Sequence, residues 1–482
     1  MTRSLSHSLN RLVDWTKSLL GEVGNARCPA KRRVTILSLE TLEKREVLNG
    51  DWFSQHLPDP NIANLARSDW NNHGSINYND MLGIYSQIEK EGYVSSNAFT
   101  SLQSLAANAS VLHTPASVSY LETQVINTNP ANRTYQGHTL GYLQPGSSSQ
   151  HLQLLVDKWF LGQDLPYTGG VSYSAVGGYL FGSSGAPSYT DVHQGAIGDC
   201  SLLSSMAETA ALDPSAIKGM FAFNGNNTFT VRFYENGSPV YVTVNNMLPA
   251  GGNYFDQPQK NVLWVALAEK AYAELNAFDP QDGVQANLQG YNSYTALDGL
   301  DPSKVLTALT DHAGYSASNA YTIAQALDYG NLVVLGSSSN IQNVCPHIAP
   351  DHAYAVLSYD SSTGMYTLFN PWGINGGWYN GQSIWGEFQA SASFLETYFT
   401  DLGGWAYAAP GTATGGSISR ATVMPVNSDT SSAASATSPE ATSVDAFFIT
   451  QSMPETVNSI WLSDAFVSAI ALHHDTHPSN SI

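Results

Sequence analysis

The chain has 482 residues, 43% of them hydrophobic, which is more than one ordinary domain requires and enough for a substantial core. Its formal net charge is −20, and beyond residue 46 only 10 Lys and Arg face 34 Asp and Glu. So acidic a body repels phosphate, which argues against a nucleic-acid partner. No apolar run approaches the roughly 20 residues that span a bilayer, so we expect a soluble protein without a transmembrane segment.

Residues 1–50 are predicted to be a basic leader, because nine of the 19 Lys and Arg lie in its first 46 residues. The leader lacks the apolar stretch and cleavage site of an ordinary signal peptide. Its segment "LETLEKREVL" resembles a short element near the start of many exported or surface bacterial proteins. The alternative is an amphipathic helix with a basic face. The first interpretation indicates export or the cell surface, and the second a cytoplasmic location.

Residues 51–165 are predicted to be mostly helical, because apolar residues recur three and four apart in "DMLGIYSQIEK" and "HLQLLVDKWFL". The stretch "DWNNHGSINYND" is similar to a degenerate EF-hand loop, with Asp69, Asn71 and Asp80 at loop positions 1, 3 and 12. His73 at position 5 is a poor calcium ligand. The alternative is a turn rich in Asp and Gly.

Residues 166–410 are predicted to form the main folded body. The run "TFTVRFYENGSPVYVTVNNMLP" indicates a β-hairpin around "ENGS", and "NVLWVALAEKAYAELN" indicates a helix. The segments "NLVVLGS", "HAYAVLSYD" and "MYTLFNPWG" are typical of strands. Residues 411–442 are rich in Ser, Thr and Ala and predict a flexible linker, and residues 443–482 predict an amphipathic C-terminal segment.

The stretch "HQGAIGDCSLL" contains a candidate nucleophile. Cys200 precedes a helix-compatible run, and a helix N-terminus favours the thiolate by lowering the thiol pKa. Gln194 lies upstream, where its amide N–H and the Cys200 backbone N–H would stabilise an oxyanion. His352 is the candidate base, and Asn370 would accept from its ring and hold the tautomer. The remaining cysteines, Cys28 and Cys345, are too few for a disulfide framework.

The segments "QGAIGDC", "HAYAV" and "NPWG", with "LWVALAEKAYAEL" between them, closely resemble the protease core of calpains over about residues 185–400. The resemblance implies a bacterial-type calpain-like cysteine endopeptidase that cleaves proteins or peptides. It also implies an α+β, papain-like fold, with a helical lobe and a β-rich lobe that meet near 290–299. Ser201 departs from the family, which usually has Trp after the nucleophile.

The resemblance further implies one calcium site in the helical lobe, with Asp191 and Glu269 as ligands. An ordinary exposed helix carboxylate is the alternative for Glu269. A second calpain calcium site follows "NPWG" in the family, but "INGGWYNGQS" has no carboxylate here. Calcium regulation is therefore expected through one site at most.

Two other functions remain open. The first is a weak or silent calpain-like module that serves in binding or surface assembly, and the second is an acyl transferase with a Cys-His-Asp triad. Asn370 in the third role argues against the transferase. Because the nucleophile comes late in the chain, residues 51–165 are expected to act as a pro- or regulatory region that covers the cleft and inhibits it. The alternative is a simple scaffold or recognition domain.

Overall fold

The computed structural model describes residues 50–250, 255–256, 258, 261–277, 290–317, 319–399 and 405–408. The predicted leader up to residue 49, the linker at 411–442 and the amphipathic segment at 443–482 lie outside these residues. The described residues from Gly50 onward belong to one compact unit.

Residues 50–160 form a group of helices, as predicted. They are α1 (Gly50–His56), α2 (Pro60–His73), α3 (Tyr78–Lys90), α4 (Ser96–Ala107), α5 (Ala116–Ile126) and α6 (Ser149–Trp159). A small hairpin of β1 (Thr134–Tyr135) and β2 (His138–Thr139) lies between α5 and α6. Side chains cap several of these helices. Asp59 accepts from two backbone N–H groups at the start of α2, where Pro60 supplies a favourable φ.

The predicted EF-hand loop at 69–80 is wrong. Asp69 and Asn71 lie on α2, which continues to His73, and only four residues separate α2 from α3. Asp80 belongs to a capping box with Asn77 and also contacts His73 Nδ1 at 3.2 Å. A 12-residue calcium loop has no room between two helices that close on each other so tightly.

The helical lobe contains the predicted hairpin and both predicted helices. Its elements are β3 (Tyr173–Ala175), α7 (Cys200–Leu212), α8 (Pro214–Met220), β4 (Phe221–Phe223), β5 (Thr228–Glu235), β6 (Ser238–Asn245), β7 (Met247–Pro249), α9 (Trp264–Leu275) and α10 (Pro302–Thr310). Strands β4, β5 and β6 form an antiparallel sheet. Asn236 and Gly237 both have positive φ in the two-residue turn, which explains why "NG" marks it.

The β-rich lobe is built on an antiparallel sheet of order β14-β11-β10-β9-β15-β8. Its elements are β8 (Tyr315–Ala317), α11 (Ala320–Asp328), β9 (Leu332–Gly336), β10 (Ala353–Asp360), β11 (Met365–Phe369), β12 (Gly377–Tyr379), β13 (Gln382–Ile384), β14 (Glu387–Ser391), α12 (Ala392–Tyr398) and β15 (Trp405–Ala408). The three predicted strands are β9, β10 and β11. The α+β prediction, with a helical lobe, a β-rich lobe and an N-terminal helical region, is confirmed.

Helix α7 connects the two lobes. Ser204 on α7 donates to the Ala353 carbonyl at 2.9 Å, and the buried Glu208 accepts from the Val333 N–H at 3.0 Å. The helix that begins at Cys200 is therefore fixed to β9 and β10 by buried hydrogen bonds as well as by packing.

The N-terminal helices pack on the β5–β6 hairpin. Tyr78 on α3 lies 3.3 Å from Thr228 Oγ1, and the Tyr120 ring on α5 meets Tyr241 edge to face at 5.5 Å. No residue between 50 and 165 lines the cavity described below. No contact therefore supports the prediction that residues 51–165 cover the cleft. Within the described ranges, no helix is long and apolar enough to cross a bilayer.

Candidate active site

Cys200 is the first residue of α7 and lines a cavity of about 870 Å³ between the lobes. The side chain is 7% exposed and packs in a small apolar cluster with Ala353, the first residue of β10. His352 and Gln194 line the same cavity. The fold therefore brings the candidate nucleophile, base and oxyanion amide to one cavity.

His352 and Asn370 are neighbours because β10 and β11 run antiparallel. His352 immediately precedes β10, and Asn370 immediately follows β11, so both lie at one end of the strand pair. His352 Nε2 lies 3.0 Å from Asn370 Oδ1. Both side chains are buried, so their bond is shielded from competition by water.

The surroundings of Asn370 determine the tautomer of His352. Asn370 Nδ2 donates to the Trp385 carbonyl, and its Oδ1 accepts from the Trp372 N–H, both at 3.0 Å. These two bonds orient the amide, so that Oδ1 faces the imidazole. Nε2 must then carry the proton, and Nδ1 keeps its lone pair. Trp372 also packs against the imidazole, with ring centroids 5.0 Å apart.

The prediction that the helix N-terminus favours a thiolate is wrong for this structure. Burial raises the pKa of the Cys200 thiol to about 11, and the carboxylates of Asp199 and Asp298 add to the rise. Hydrogen bonds from the backbone of Ala353 and Ser201 oppose it. Burial also lowers the pKa of His352 to about 4, with an opposing contribution from Asn370. The resting pair is a neutral thiol and a neutral imidazole.

Gln194 lines the cavity, but its side-chain amide already hydrogen-bonds to the protein backbone. Its Nε2 donates to the Ile197 carbonyl at 2.8 Å, and its backbone N–H donates to Pro371 O at 2.8 Å. The amide also lowers the pKa of the Asp199 carboxyl, against the larger effect of burial. One Nε2 hydrogen is therefore committed to Ile197, and an oxyanion role for Gln194 would use the second.

Three buried carboxyls lie behind Cys200: Asp199, Asp256 and Glu269. Burial raises the pKa of Asp199 to about 7 and the pKa values of Asp256 and Glu269 well above their usual range, and mutual repulsion adds to the last two. Both oxygens of Asp199, Oδ2 of Asp256 and Oε1 of Glu269 are buried without a hydrogen-bond partner. Glu269 is thus not the exposed helix carboxylate that the alternative interpretation required.

The predicted ligands Asp191 and Glu269 do not form a ready metal site. Asp191 Oδ2 accepts from Trp264 Nε1 and from the Ser188 N–H, both at 2.8 Å. Glu269 Oε2 accepts from the Asp256 N–H at 3.1 Å. Among the described residues, no three His, Cys, Asp or Glu side chains are arranged to hold a metal ion.

We expect the buried carboxyls to make the folded state less stable as the pH rises from about 7 to about 8. A carboxyl that keeps its proton only when folded lowers the free energy of unfolding by about 1.4 kcal/mol per pH unit. Two groups oppose this trend: unfolded His352 loses its remaining proton just above pH 7, and the buried Lys270, with a pKa lowered to about 8, loses its proton in the folded state first. The buried carboxyls outnumber these two groups, so the net stability should fall. Urea unfolding measured at several pH values checks this. Glu269→Gln removes one of these protons, so it should make the fall of the unfolding free energy with pH less steep by about 1.4 kcal/mol per pH unit. A stability that rises with pH would contradict the prediction.

The sequence did not single out two exposed carboxylates that line the cavity. Asp298 lies on the helical-lobe side and Asp351 on the β-lobe side, directly before His352. Asp351 has a φ of 47°, a left-handed conformation that Asp adopts more readily than most residues. Trp378, which is 76% exposed, also lines the cavity. For Asp351 the sequence offered one indication, because "APDHAYAV" places an acid directly before the candidate base.

Comparison with known proteins identifies the segment that carries this geometry. Residues 179–395 match the model of the calpain family cysteine proteases. Calpain clp-4 of Caenorhabditis elegans is 29% identical over 233 residues, which are 43% of this chain and 31% of that protein. The calpain-type cysteine protease ADL1 of Oryza sativa is 30% identical over 275 residues, which are 51% of this chain and 12% of that protein.

The calpain-1 catalytic subunit of Sus scrofa is 29% identical over 227 residues, which are 41% of this chain and 29% of that protein. The chain thus spans less than a third of the length of these relatives. They come from animals and a plant, so the predicted bacterial type is not confirmed. Residues 179–395, which include the candidate nucleophile, base and amides, are therefore similar to the cysteine protease domain of the calpain family.

Proposed function

We propose that this protein is a cysteine endopeptidase that hydrolyses peptide bonds with Cys200, His352, Asn370 and Gln194. The observation that carries the proposal is the 3.0 Å bond between His352 Nε2 and Asn370 Oδ1 at the cavity that Cys200 lines. That bond leaves the lone pair of Nδ1 free to take the thiol proton.

In the proposed reaction the Cys200 sulfur attacks the peptide carbonyl carbon as its proton passes to His352 Nδ1. The carbonyl oxygen becomes an oxyanion, held by the Cys200 backbone N–H and the second Nε2 hydrogen of Gln194. His352 gives its proton to the leaving amine as the C–N bond breaks. Water, deprotonated by the same nitrogen, then hydrolyses the thioester and restores the thiol.

Substrate binding must favour the proton transfer, because the resting thiol and imidazole are both neutral. With a thiol pKa of about 11 and an imidazole pKa of about 4, the ion pair is unfavourable in the free enzyme. A concerted transfer during attack avoids forming a free thiolate. Incubation with unfolded casein tests the function, and mass spectrometry after labelling with a peptidyl epoxide tests the nucleophile. Absence of both cleavage and a Cys200 adduct would leave the silent binding module as the better hypothesis.

We also propose one calcium site in the helical lobe, with Asp191 and Glu269 as ligands. Four buried carboxyl oxygens without hydrogen-bond partners, on Asp199, Asp256 and Glu269, support it, because a hard cation would displace the protons that burial retains there and would satisfy these oxygens. Binding would require Asp191 to release at least one of its two hydrogen bonds.

We expect terbium, which replaces calcium in oxygen sites, to report this site by luminescence. Trp264 donates to Asp191 at 2.8 Å, so an ion bound at Asp191 would receive energy from the excited indole. Terbium emission should appear on excitation of tryptophan, fall when calcium competes, and be lost in Asp191→Asn. Asp69→Asn is the matched control, because Asp69 lies on α2 and should leave the emission intact. Emission that is equal in the wild type and Asp191→Asn would refute the site.

A further inference from the structure

The walls of the catalytic cavity carry negative charge on both sides. Asp298 and Asp351 are exposed and line it from opposite lobes, and none of its lining residues is Lys or Arg. The two histidines that line it are neutral, because burial lowers the pKa of His193 and of His352. Within the described part of the chain, the cavity therefore presents a net negative charge to a substrate.

Asp298 is held close to the nucleophile by the backbone around it. A Cβ added to Gly198 would lie 1.8 Å from Asp298 Oδ1, so the carboxylate sits directly over this glycine, two residues before Cys200. Gly299 N–H donates to the Gly198 carbonyl at 3.1 Å and joins the two segments. The negative charge of Asp298 also acts electrostatically on the Cys200 thiol and raises its pKa.

Asp351 directly precedes the base on the chain, and both residues line the cavity. Its left-handed backbone, with a φ of 47°, places a charged side chain where most residues would be strained. Trp372, Trp378 and Tyr379 line the cavity on the same lobe. Aromatic faces beside carboxylates suit a cationic side chain with an apolar stem, which is the chemistry of Arg and Lys.

We propose that the cavity selects peptides with Arg or Lys close to the scissile bond, and that Asp298 and Asp351 determine this specificity. The inference rests on the proposed peptidase function and adds the substrate class. A bound cation would also neutralise the charge of Asp298, which opposes ionisation of the thiol, so the preference extends to kcat. The acidic body of the protein, with its formal charge of −20 overall, adds long-range attraction for basic segments.

Peptides that contain Arg or its neutral isostere citrulline at one position test the proposal. In a series of such peptides, this residue occupies each position on either side of the scissile bond in turn. At every position the Arg and citrulline side chains have nearly the same shape and differ in charge. At the preferred position we expect kcat/KM to be about tenfold higher for Arg than for citrulline in the wild type. Asp298→Asn and Asp351→Asn should each reduce the ratio about threefold, mainly by slowing the Arg peptide.

Asp311→Asn is the matched control. Asp311 also has a positive φ, 64°, and is exposed, but it does not line the cavity, so its substitution should leave the ratio unchanged. Added salt should slow cleavage of the Arg peptide more than that of the citrulline peptide. Equal rates for the two peptides at every position, or a ratio that survives both substitutions together, would overturn the proposal.

Binding to the Cys200→Ala variant separates this proposal from the peptidase function. Fluorescence anisotropy of labelled peptides should show tighter binding of Arg than of citrulline without any turnover. Cleavage without charge preference overturns only the specificity. Failure of the wild type to cleave any peptide, with no Cys200 adduct, overturns the peptidase function and the specificity that rests on it.

Discussion

Cys200→Ala is expected to reduce kcat/KM for peptide hydrolysis by at least about 10⁴-fold, because it removes the atom that attacks the carbonyl. The fold should persist, since alanine retains the helix start and removes only one sulfur from a small apolar cluster. Casein cleavage and a quenched fluorescent peptide measure the rate, and circular dichroism with urea unfolding checks the fold.

Cys345→Ala is the control for that substitution. Cys345 is partly exposed and does not line the cavity, so its loss should change the rate by less than about twofold. The comparison separates the loss of one particular nucleophile from a general effect of removing a thiol. Hydrolysis that continues in Cys200→Ala at more than a trace would refute the assignment.

Asn370→Ala is expected to lower kcat/KM on the order of 10²-fold and to destabilise the fold. The substitution frees His352 to adopt the wrong tautomer, and it leaves the Trp372 N–H and the Trp385 carbonyl without their partner. Both bonds are partly buried, so each group left without its partner should cost about 1 kcal/mol, the lower end of the range for a buried group. Steady-state kinetics and urea unfolding measure the two effects. Asn343→Ala, an exposed asparagine in the same lobe, should show neither.

Asn370→Asp distinguishes an orienting role from a structural one. A carboxylate still accepts from Nε2, so part of the rate should return. Its negative charge favours the imidazolium, so the pKa of His352 should rise from about 4, and the acid limb of kcat/KM should move to higher pH. If Asn370→Asp recovers stability but leaves the pH profile where it was, the bond does not control the base.

The main strands were predictable from the sequence because their signals are local, and the candidate catalytic residues also stand in short local motifs. "NG" requires positive φ and predicts the turn at Asn236 and Gly237, and the order Cys200, His352, Asn370 carries the family resemblance. The errors came from contacts remote in sequence. A helix N-terminus suggested a low thiol pKa, but burial and the distant Asp298 reverse the direction.

The same limit applies to the N-terminal region and to the acids. Apolar spacing predicted the helices within 51–165, but it does not encode which surface their apolar faces meet, and they meet the β5–β6 hairpin. Asp199 and Asp256 are separated by more than fifty residues, so the sequence held no sign that they share one buried cluster with Glu269. The EF-hand pattern specifies only residue types at loop positions, so it gave no sign that α2 extends to His73.

The hydrogen bond from Val333 N–H to Glu208 has a consequence for recombining lobes between relatives. Glu208 is fully buried, and its second oxygen has no partner, so this carboxylate is tolerable only while β9 covers it. Any residue except proline at position 333 supplies that N–H, so a chimera of α7 from one protein and β9 from another keeps the bond as long as β9 lies in the same position against α7. Exchange of lobes between relatives therefore depends on the placement of the backbone of β9, and much less on its side chains.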